Sequence, residues 1–465
     1  MKWLAGVAPL VVLAACYSDA QPVAKGASEG EVTFVRDVAP ILRARCQGCH
    51  APGGIAPFPL VTYRDAAPMA ARIAAATASG LMPPWGAKTT DECKPKHPFK
   101  DDPRLSEGQV ALLRRWAETG TKEGTGVLPA AVPPAVGLEG ALSLAPKAPH
   151  ALDLTKERDE LRCFVLDPGI TENRYLTGVH FVPGNASVVH HALAFAIAET
   201  DAVPADEYEC FGGPRVNGAS LVAAWAPGAL PIEYPAGVAL PLAKGTRFIM
   251  QVHYHPHANA SPAPDATAFQ VRLSDTPPAY VVVSRLIGNF EKPVGDIGGG
   301  LVGGLMSGPN DPPTAPEFLI PAEAKGHTET MSFRVPEKVR GLDVGELGVL
   351  NVGAHMHFVG VDERVSVKRV SPAAGEEVDE CLLHVPKWDF DWQRGYQYDA
   401  PLDLLPKVRP GDELLVRCTY DNTLGNPKLV RGLREQSLTV PQAVRLGEST
   451  LDEMCLAAFV FVRKL

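Results

Sequence analysis

The feature that most constrains the fold is a series of short apolar runs after residue 150, separated by turn residues. Examples are "VVHHALAFAIA", "TRFIMQVHYH", "AYVVVSRLIG", "DELLVRC" and "CLAAFVFV". The runs are short and rich in β-branched and aromatic residues, which is typical of strands. Pro (44) and Gly (43) are abundant, as expected where many turns join strands. The pattern predicts antiparallel β-sandwiches, and roughly 310 residues are too many for one sandwich, so we predict two.

The chain before residue 125 has a different pattern. The runs "FVRDVAPILRARC", "AAPMAARIAAATASG" and "SEGQVALLRRWAETG" have apolar residues at helical spacing, and the last opens with the capping box Ser106-x-x-Gln109. These runs predict an all-α domain, followed by a semi-extended Ala/Pro-rich linker. A length of 465 residues agrees with about three domains. The predicted units are an all-α domain at 31–124, a linker at 125–150, and β-sandwiches at 151–276 and 277–465.

The first sixteen residues, "MKWLAGVAPLVVLAAC", predict an export signal, because the apolar run is too short to span a membrane. The ending Leu-Ala-Ala-Cys resembles a bacterial lipoprotein signal, which implies cleavage before Cys16 and lipidation of its thiol. The alternative is an ordinary secretory signal with an incidental cysteine. We expect the mature protein on the periplasmic face of a bacterial membrane, with its cysteines paired or otherwise committed. The net charge of −9 and the lack of a basic tract argue against nucleic-acid binding.

The segment "RCQGCH" contains Cys46-x-x-Cys49-His50, the attachment signature of c-type haem. The two thiols bond to the haem, and the histidine becomes an axial ligand of the iron. Redox dithiols and zinc sites share the pattern, but the chain is exported and no second CxxC completes a zinc site. The surroundings resemble small cytochromes c, which usually take a second axial methionine. Met82, on a Pro-containing loop, is predicted for that role over Met69, which lies in a predicted helix.

Three histidine clusters follow in the β-rich part: His190 and His191; His253, His255 and His257; and His355 and His357. Side chains i and i+2 of a strand share a face, so the histidines of "AHMH" can reach one metal ion. The adjacent pair in "VVHHAL" can do so only where the strand twists or bulges; otherwise it is a buried pair with separate hydrogen bonds. Imidazole suits Zn, Cu, Fe and Ni, and a thioether favours Cu(I).

The last three-fifths of the chain resembles the copper type II, ascorbate-dependent monooxygenases, which include the peptidylglycine α-hydroxylating and dopamine β-monooxygenases. The resemblance rests on "VVHHALAF", "AAWAPGALPIEYPAGVALPL" leading into "FIMQVHYH", "AHMHFVG" and "STLDEMCLAAFVF", in the family's order. It implies two jelly-roll-like sandwiches and two copper ions. The implied ligands are His190, His191 and His253 for an electron-transfer copper, and His355, His357 and Met454 for an oxygen-binding copper.

The resemblance also implies two disulfides, Cys163–Cys210 and Cys418–Cys455, the second of which would hold Met454 in position. Two further cysteines, Cys93 and Cys381, are left over; they are either free or bridge the haem domain to the third domain. His255 and His257 have no counterpart in the family, and we expect them on the surface, where they could tune the first site.

The sequence departs from the family at the substrate site. The peptide hydroxylase holds a substrate carboxylate with an Arg two residues before the HxH pair and a Tyr four residues after the Met. Gly353 and Ala458 occupy those positions here, which argues against a glycine-extended peptide as substrate. The aromatic residues of "HVPKWDFDWQRGYQY", residues 384–398, either line an apolar substrate pocket or pack in the core of a strand pair.

We therefore expect an exported, lipid-anchored oxidoreductase that hydroxylates an unactivated C–H bond of a small organic molecule with O2. Electrons are expected to reach the coppers through the covalent haem, from a periplasmic donor or an ascorbate-like reductant. Tethering would raise the local haem concentration to about the mM range. The alternative is an electron-transfer or copper-handling protein without hydroxylase activity. Product formation coupled to O2 uptake separates the two.

Overall fold

The computed structural model describes residues 30–52, 56–128, 137–153, 159–227, 229–256, 263–289, 302–308, 311–312, 315–339, 341–449 and 451–465. The predicted export signal, residues 1–16 with Cys16, lies outside the described residues, as does His257. No helix in the described ranges is long and apolar enough to cross a membrane.

The prediction of an all-α cytochrome c domain is wrong. Helices make up a minority of the described residues before position 129, and proline breaks them up. Pro68 lies in a 3₁₀ turn that interrupts the second predicted helix, and a π-helical turn opens the first. The described helices are the π turn Phe34–Val38, α1 (Ala39–Arg45), α2 (Tyr63–Ala66), the 3₁₀ turn Ala67–Met69, α3 (Ala70–Ala78), α4 (Glu107–Glu118) and α5 (Pro427–Glu435).

The short helices before position 129 share a small core around Phe34, Leu113 and Trp116. The capping box that predicted the last of them is present. Ser106 accepts from the N–H of Gln109, and Gln109 accepts from the N–H of Ser106, at 3.3 and 3.0 Å.

The described structure is mostly β-sheet. Its strands are β1 (Leu142–Leu144), β2 (Glu160–Leu166), β3 (Arg174–Val182), β4 (Val189–Ile197), β5 (Glu207–Glu209), β6 (Ser220–Trp225), β7 (Ile232–Glu233), β8 (Val238–Leu242), β9 (Arg247–Tyr254), β10 (Ala268–Ser274), β11 (Tyr280–Gly288), β12 (Val302–Leu305), β13 (Leu319–Ile320), β14 (Lys325–Arg334), β15 (Lys338–Val339), β16 (Leu342–Asp343), β17 (Leu347–His355), β18 (Gly360–Lys368), β19 (Asp379–Val385), β20 (Gly395–Gln397), β21 (Lys407–Val408), β22 (Glu413–Asp421), β23 (Val444–Arg445) and β24 (Leu456–Lys464). The first of these lies within the predicted linker and pairs with β10.

One ten-stranded sheet extends through the whole β-rich part. Its order is β1-β10-β3-β8-β11-β24-β17-β20, with β7 beside β3 and β21 beside β17. Strands β8 and β11 pair in parallel and so join the two halves. The five-stranded sheets β5-β2-β9-β4-β6 and β12-β14-β22-β18-β19 pack against these halves and enclose two separate apolar cores. This arrangement brings strands of both halves to one central cavity.

Residues 83–101, which we call the strap, leave the helices and lie against the second β core. The ring of Trp85 packs edge-on against Tyr396, with centroids 5.0 Å apart. The N–H of Lys88 donates to the carbonyl of His384 at 2.9 Å. This extended, sheet-bound segment is a second reason why the N-terminal residues do not form an all-α domain.

A disulfide between Cys93 of the strap and Cys381 of β19 closes a loop of 288 residues. Replacing both cysteines by serine is expected to lower the free energy of unfolding by about 2–5 kcal/mol, because the bond constrains the unfolded chain. Denaturant unfolding of the variant and the parent measures the loss. Limited proteolysis should also cut the strap faster in the variant. An unchanged stability and cleavage rate would show that packing alone holds the strap.

Candidate functional site

The first histidine cluster lies where β4 and β9 meet. The ligand atoms of His190, His191 and His253 all lie within 4.8 Å of one another. The Nδ1 atom of His191 is 3.2 Å from that of His190 and 3.3 Å from that of His253. The pairing of β4 with β9 shifts register between Val189 and His191. That bulge is the irregularity that adjacent histidines need to reach one point.

A buried carboxylate fixes the outer nitrogen of His253. Asp159 Oδ1 lies 2.9 Å from His253 Nε2 and 2.8 Å from His255 Nδ1. A carboxylate accepts, so Nε2 of His253 carries the proton and Nδ1 keeps its lone pair towards the cluster. His255 is only 6% exposed, so the prediction of a surface position is wrong.

The charges around Asp159 stabilise one another. Burial opposes ionisation of Asp159, but hydrogen bonds from His253 and His255 hold its pKa well below the ordinary range. Burial also opposes protonation of His255, yet hydrogen bonds to Asp159 and Glu435 raise its pKa to about 9. Glu435 belongs to α5, so this network joins the two halves of the β-rich part.

The second histidine pair lies at the end of β17. The rings of His355 and His357 are 5.2 Å apart. Nδ1 of His355 donates to Gln393 Oε1 at 2.6 Å, and Nδ1 of His357 donates to the carbonyl of Asp452 at 3.0 Å. Since both Nδ1 atoms are used, Nε2 of each ring is left to bind a metal ion.

One buried carboxylate organises the backbone around this pair. Glu453 Oε2 accepts from the N–H groups of His357 and Met454, both at 2.8 Å. Glu453 Oε1 accepts from the N–H groups of Val359 and Gly360, both at 3.1 Å. The same side chain therefore positions two of the residues predicted as ligands of the second copper.

The position of Met454 is held from its other side as well. Its carbonyl accepts from the hydroxyl of Tyr420 at 2.9 Å. The next residue, Cys455, forms a disulfide with Cys418 of β22. The structure also has a disulfide between Cys163 and Cys210, beside β9.

The histidines of both clusters are electrostatically suited to metal binding. Burial lowers the pKa of His190 and His191 well below its usual value. Burial also lowers the pKa of His355 to about 4 and that of His357 to about 3. These imidazoles are therefore neutral near pH 7, the form that metal coordination requires.

The two clusters approach each other across the central cavity. The rings of His191 and His355 meet edge to face, with centroids 5.9 Å apart. Phe390 stacks on His190 at 4.3 Å and meets the ring of His357 at 6.1 Å. A single buried aromatic ring therefore contacts both predicted ligand sets.

The loop that carries Phe390 is clamped by α5. Lys428 forms ion pairs with Asp389 and Asp391, and Arg431 forms a further pair with Asp391. The Arg431 guanidinium also lies 4.8 Å from the ring of Phe358, which packs on Phe390. These contacts hold the loop against the first cluster.

A cavity of about 470 Å³ lies between the two halves. His191, His253, His355, His357 and Met454 all contribute to its wall. The strap contributes Trp85, Lys100 and Asp101. Among the described residues that line it, none is an aromatic of segment 384–398; Trp388, Tyr396 and Tyr398 pack in the second β core instead, as the core-packing alternative has it.

The haem-attachment motif lies in a loop after α1. Cys46 and Cys49 are unpaired thiols, and burial raises the pKa of Cys46 to about 12. A protonated thiol is a poor redox nucleophile. Nδ1 of His50 donates to the carbonyl of Phe58 at 3.0 Å, which leaves Nε2 available as a ligand. Met82 is half-buried just after α3.

Several supporting residues were missed by sequence reasoning. The sequence offered one signal for Glu453, its position directly before the predicted ligand Met454 in "DEMC". Asp159 and Gln393 are distant in sequence from the histidines that they contact, by 94 and 38 residues. Nothing local in the sequence marks either of them.

Comparison with known proteins finds distant relatives. No protein-family model matches the sequence. DBH-like monooxygenase protein 2 of Mus musculus is 25% identical over 291 residues, which is 61% of this chain and 39% of that protein. The Homo sapiens DBH-like monooxygenase protein 2 is 23% identical over 276 residues, 58% of this chain and 46% of that protein. The chain thus spans less than half the length of these relatives, and its likeness to DBH-like monooxygenases is distant.

Among solved structures, the glycosylasparaginase PNGase F of Flavobacterium meningosepticum covers 70% of this chain and 95% of its own. The two are 10% identical with a TM-score of 0.25. A likeness of that size carries no argument about this protein.

Proposed function

We propose that the protein is a copper-dependent monooxygenase that uses O2 to hydroxylate an unactivated C–H bond of a small organic molecule. The observation that carries the proposal is the shared cavity, whose wall includes members of both predicted ligand sets. Metal chemistry and substrate would meet in that one cavity. The distant likeness to DBH-like monooxygenases supports the same reaction class.

The donor atoms at the two sites fit copper. Imidazole nitrogens suit copper, and the thioether of Met454 favours its reduced form, Cu(I). The six proposed ligands include no carboxylate oxygen of the kind that magnesium, calcium or manganese prefers. Bound copper would supply the one-electron chemistry through which O2 can oxidise a C–H bond.

The chain's own residues hold these donors ready and keep water away. Asp159 and Gln393 fix the proton on the outer nitrogen of His253 and His355, so the inner nitrogens present lone pairs. The ring of Phe390 covers one face of the first cluster. A ring that covers a metal ligand in this way limits side reactions with water at that ligand.

Labelled O2 tests the proposal directly. We expect about two copper ions per chain in the purified mature protein, and one labelled oxygen atom in the product when reductant and substrate are supplied. A screen of C–H-containing organic molecules by mass spectrometry measures the incorporation. An electron-transfer or copper-handling protein would bind copper and exchange electrons without labelling any product, which would overturn the proposal.

We also propose that Cys46 and Cys49 carry a covalent haem, with His50 and Met82 as axial ligands, and that this haem passes electrons to the copper sites. The hydrogen bond from His50 to Phe58 supports the assignment, because it orients the ring and leaves Nε2 available. The electron source would be a periplasmic redox protein or an ascorbate-like reductant.

The axial methionine has its own test. Met82→Ala is expected to abolish the sulfur-to-iron charge-transfer band of the oxidised haem, because the band requires a thioether on the iron. Visible and near-infrared absorption spectra of the two proteins measure it. Met69→Ala is the matched control, since Met69 packs against the helical core. A band that persists unchanged in Met82→Ala would refute the assignment, and its loss in Met69→Ala would point to Met69 instead.

The disulfides support an exported protein, because such bonds persist in oxidising compartments. We propose that it is held at the periplasmic face of a bacterial membrane by a lipid on Cys16. The mass of the mature N-terminal peptide, with or without a thioether-linked lipid on Cys16, decides this point.

A further inference from the structure

We infer that the substrate is a neutral, largely apolar molecule, an inference that rests on the proposed function and narrows its substrate class. The argument comes from the wall, the mouth and the charges of the central cavity. The cavity volume of about 470 Å³ is in the range that holds a small organic ligand.

The wall beside the candidate metal ligands is apolar. Along β24, Leu456, Ala458 and Val460 alternate with buried core residues, and all three line the cavity. The opposite wall comes from β4 and β6, whose Leu193 and Leu221 line the same space. A substrate in contact with these two walls would exchange water for hydrocarbon on both sides, which favours apolar molecules.

The mouth of the cavity is apolar as well. Leu230 is 55% exposed and Leu286 is 38% exposed, and both line the cavity. Large aliphatic side chains grouped at the entrance of a pocket are a feature of sites that bind apolar ligands. These side chains also offer no hydrogen-bonding group to a charged molecule that enters the cavity.

The formal charges in the wall sum to zero, and each charged side chain is either exposed to solvent or in contact with a neighbouring group. Among the described lining residues, two cations and two anions occur: Lys100, Arg394, Asp101 and Glu448. Lys100 and Asp101 are adjacent, opposite in sign and exposed to solvent. Glu448 accepts a hydrogen bond from the N–H of Gly212. The guanidinium of Arg394 lies 5.4 Å from the centre of the Trp85 ring.

A charged substrate would therefore lose its hydration without gaining a dedicated opposite charge. Burying an ion without a well-placed partner is strongly unfavourable. A neutral molecule has no such cost and gains from the apolar walls. The geometry thus selects against amines and carboxylates of the same size.

Binding to the copper-free, full-length protein tests this inference. The probes are butylbenzene, its cationic analogue phenylpropylamine and its anionic analogue phenylpropanoate, measured by calorimetric titration at neutral pH. We expect butylbenzene to bind at least about tenfold more tightly than either ion. Tighter binding of either ion, or no binding of the neutral probe, would overturn the inference.

A mouth variant and a matched control locate the site. Leu286→Glu is expected to weaken butylbenzene binding about tenfold, and Leu342→Glu, on a strand outside the cavity and 70% exposed, to leave it unchanged. Equal effects of the two substitutions would also overturn the inference. These assays need neither copper nor turnover, so failure of the proposed hydroxylation would appear separately, as the absence of labelled product in the O2 experiment.

Discussion

His355→Ala is expected to lower bound copper from about two ions per chain to about one, and to abolish product formation. The substitution removes one of the three donors of the second site, where His357 and Met454 alone would hold the ion weakly. The first cluster keeps all of its Nδ1 contacts, which do not involve His355. Metal analysis and electron paramagnetic resonance of the copper-loaded variant measure which site is lost.

The control for this substitution is His97→Ala. His97 lies in the strap, outside the cavity wall, and donates to the carbonyl of Leu404 at 2.8 Å. This variant should keep both copper ions and full activity. Loss of both ions in His355→Ala would mean that the histidines form a single shared site, contrary to the proposed division. That outcome is worth testing because the rings of His191 and His355 are only 5.9 Å apart.

Glu453→Gln is expected to weaken copper binding at the second site by about 10–100-fold and to leave the first site unchanged. Both carboxylate oxygens accept backbone N–H groups, two on each side. An amide can accept on one side only, and its NH2 group would face two N–H donors on the other. The backbone at His357 and Met454 must then shift. Copper titration followed by site-resolved spectroscopy measures the affinity of each site.

Two comparisons test whether Glu453 acts by positioning the ligands of the second site. Glu346→Gln alters an exposed ion pair with Arg409 and should leave both sites unchanged. The free energy of unfolding should fall by about 1–3 kcal/mol in Glu453→Gln, because buried N–H groups lose their acceptor. If both copper sites weakened equally, the side chain would support the fold in general and not the second site in particular.

The helical part shows where a local pattern misleads. The capping box at Ser106 was predicted from four residues and is present, because a cap depends only on its own turn. The grouping of the helical runs into an all-α domain was wrong. It assumed that the chain between Met82 and Ser106 returns to the helices. Instead the strap binds the β-sheet through Trp85 and the disulfide of Cys93, contacts that no periodicity can reveal.

The amino-acid sequence by itself determined the chemistry of the donors and their local geometry. The spacing of His355 and His357 follows from the two-residue period of a strand, and the short apolar runs specify β structure wherever they pair. Tertiary structure alone decided which nitrogen of each ring faces the centre, because the partners come from far along the chain. Asp159 and His253 are 94 residues apart, and Asp452, whose carbonyl contacts the ring of His357, is 95 residues from it. Whether residues so far apart in the sequence come into contact depends on how the sheets pack. The convergence of both clusters on one apolar cavity is a result of that packing.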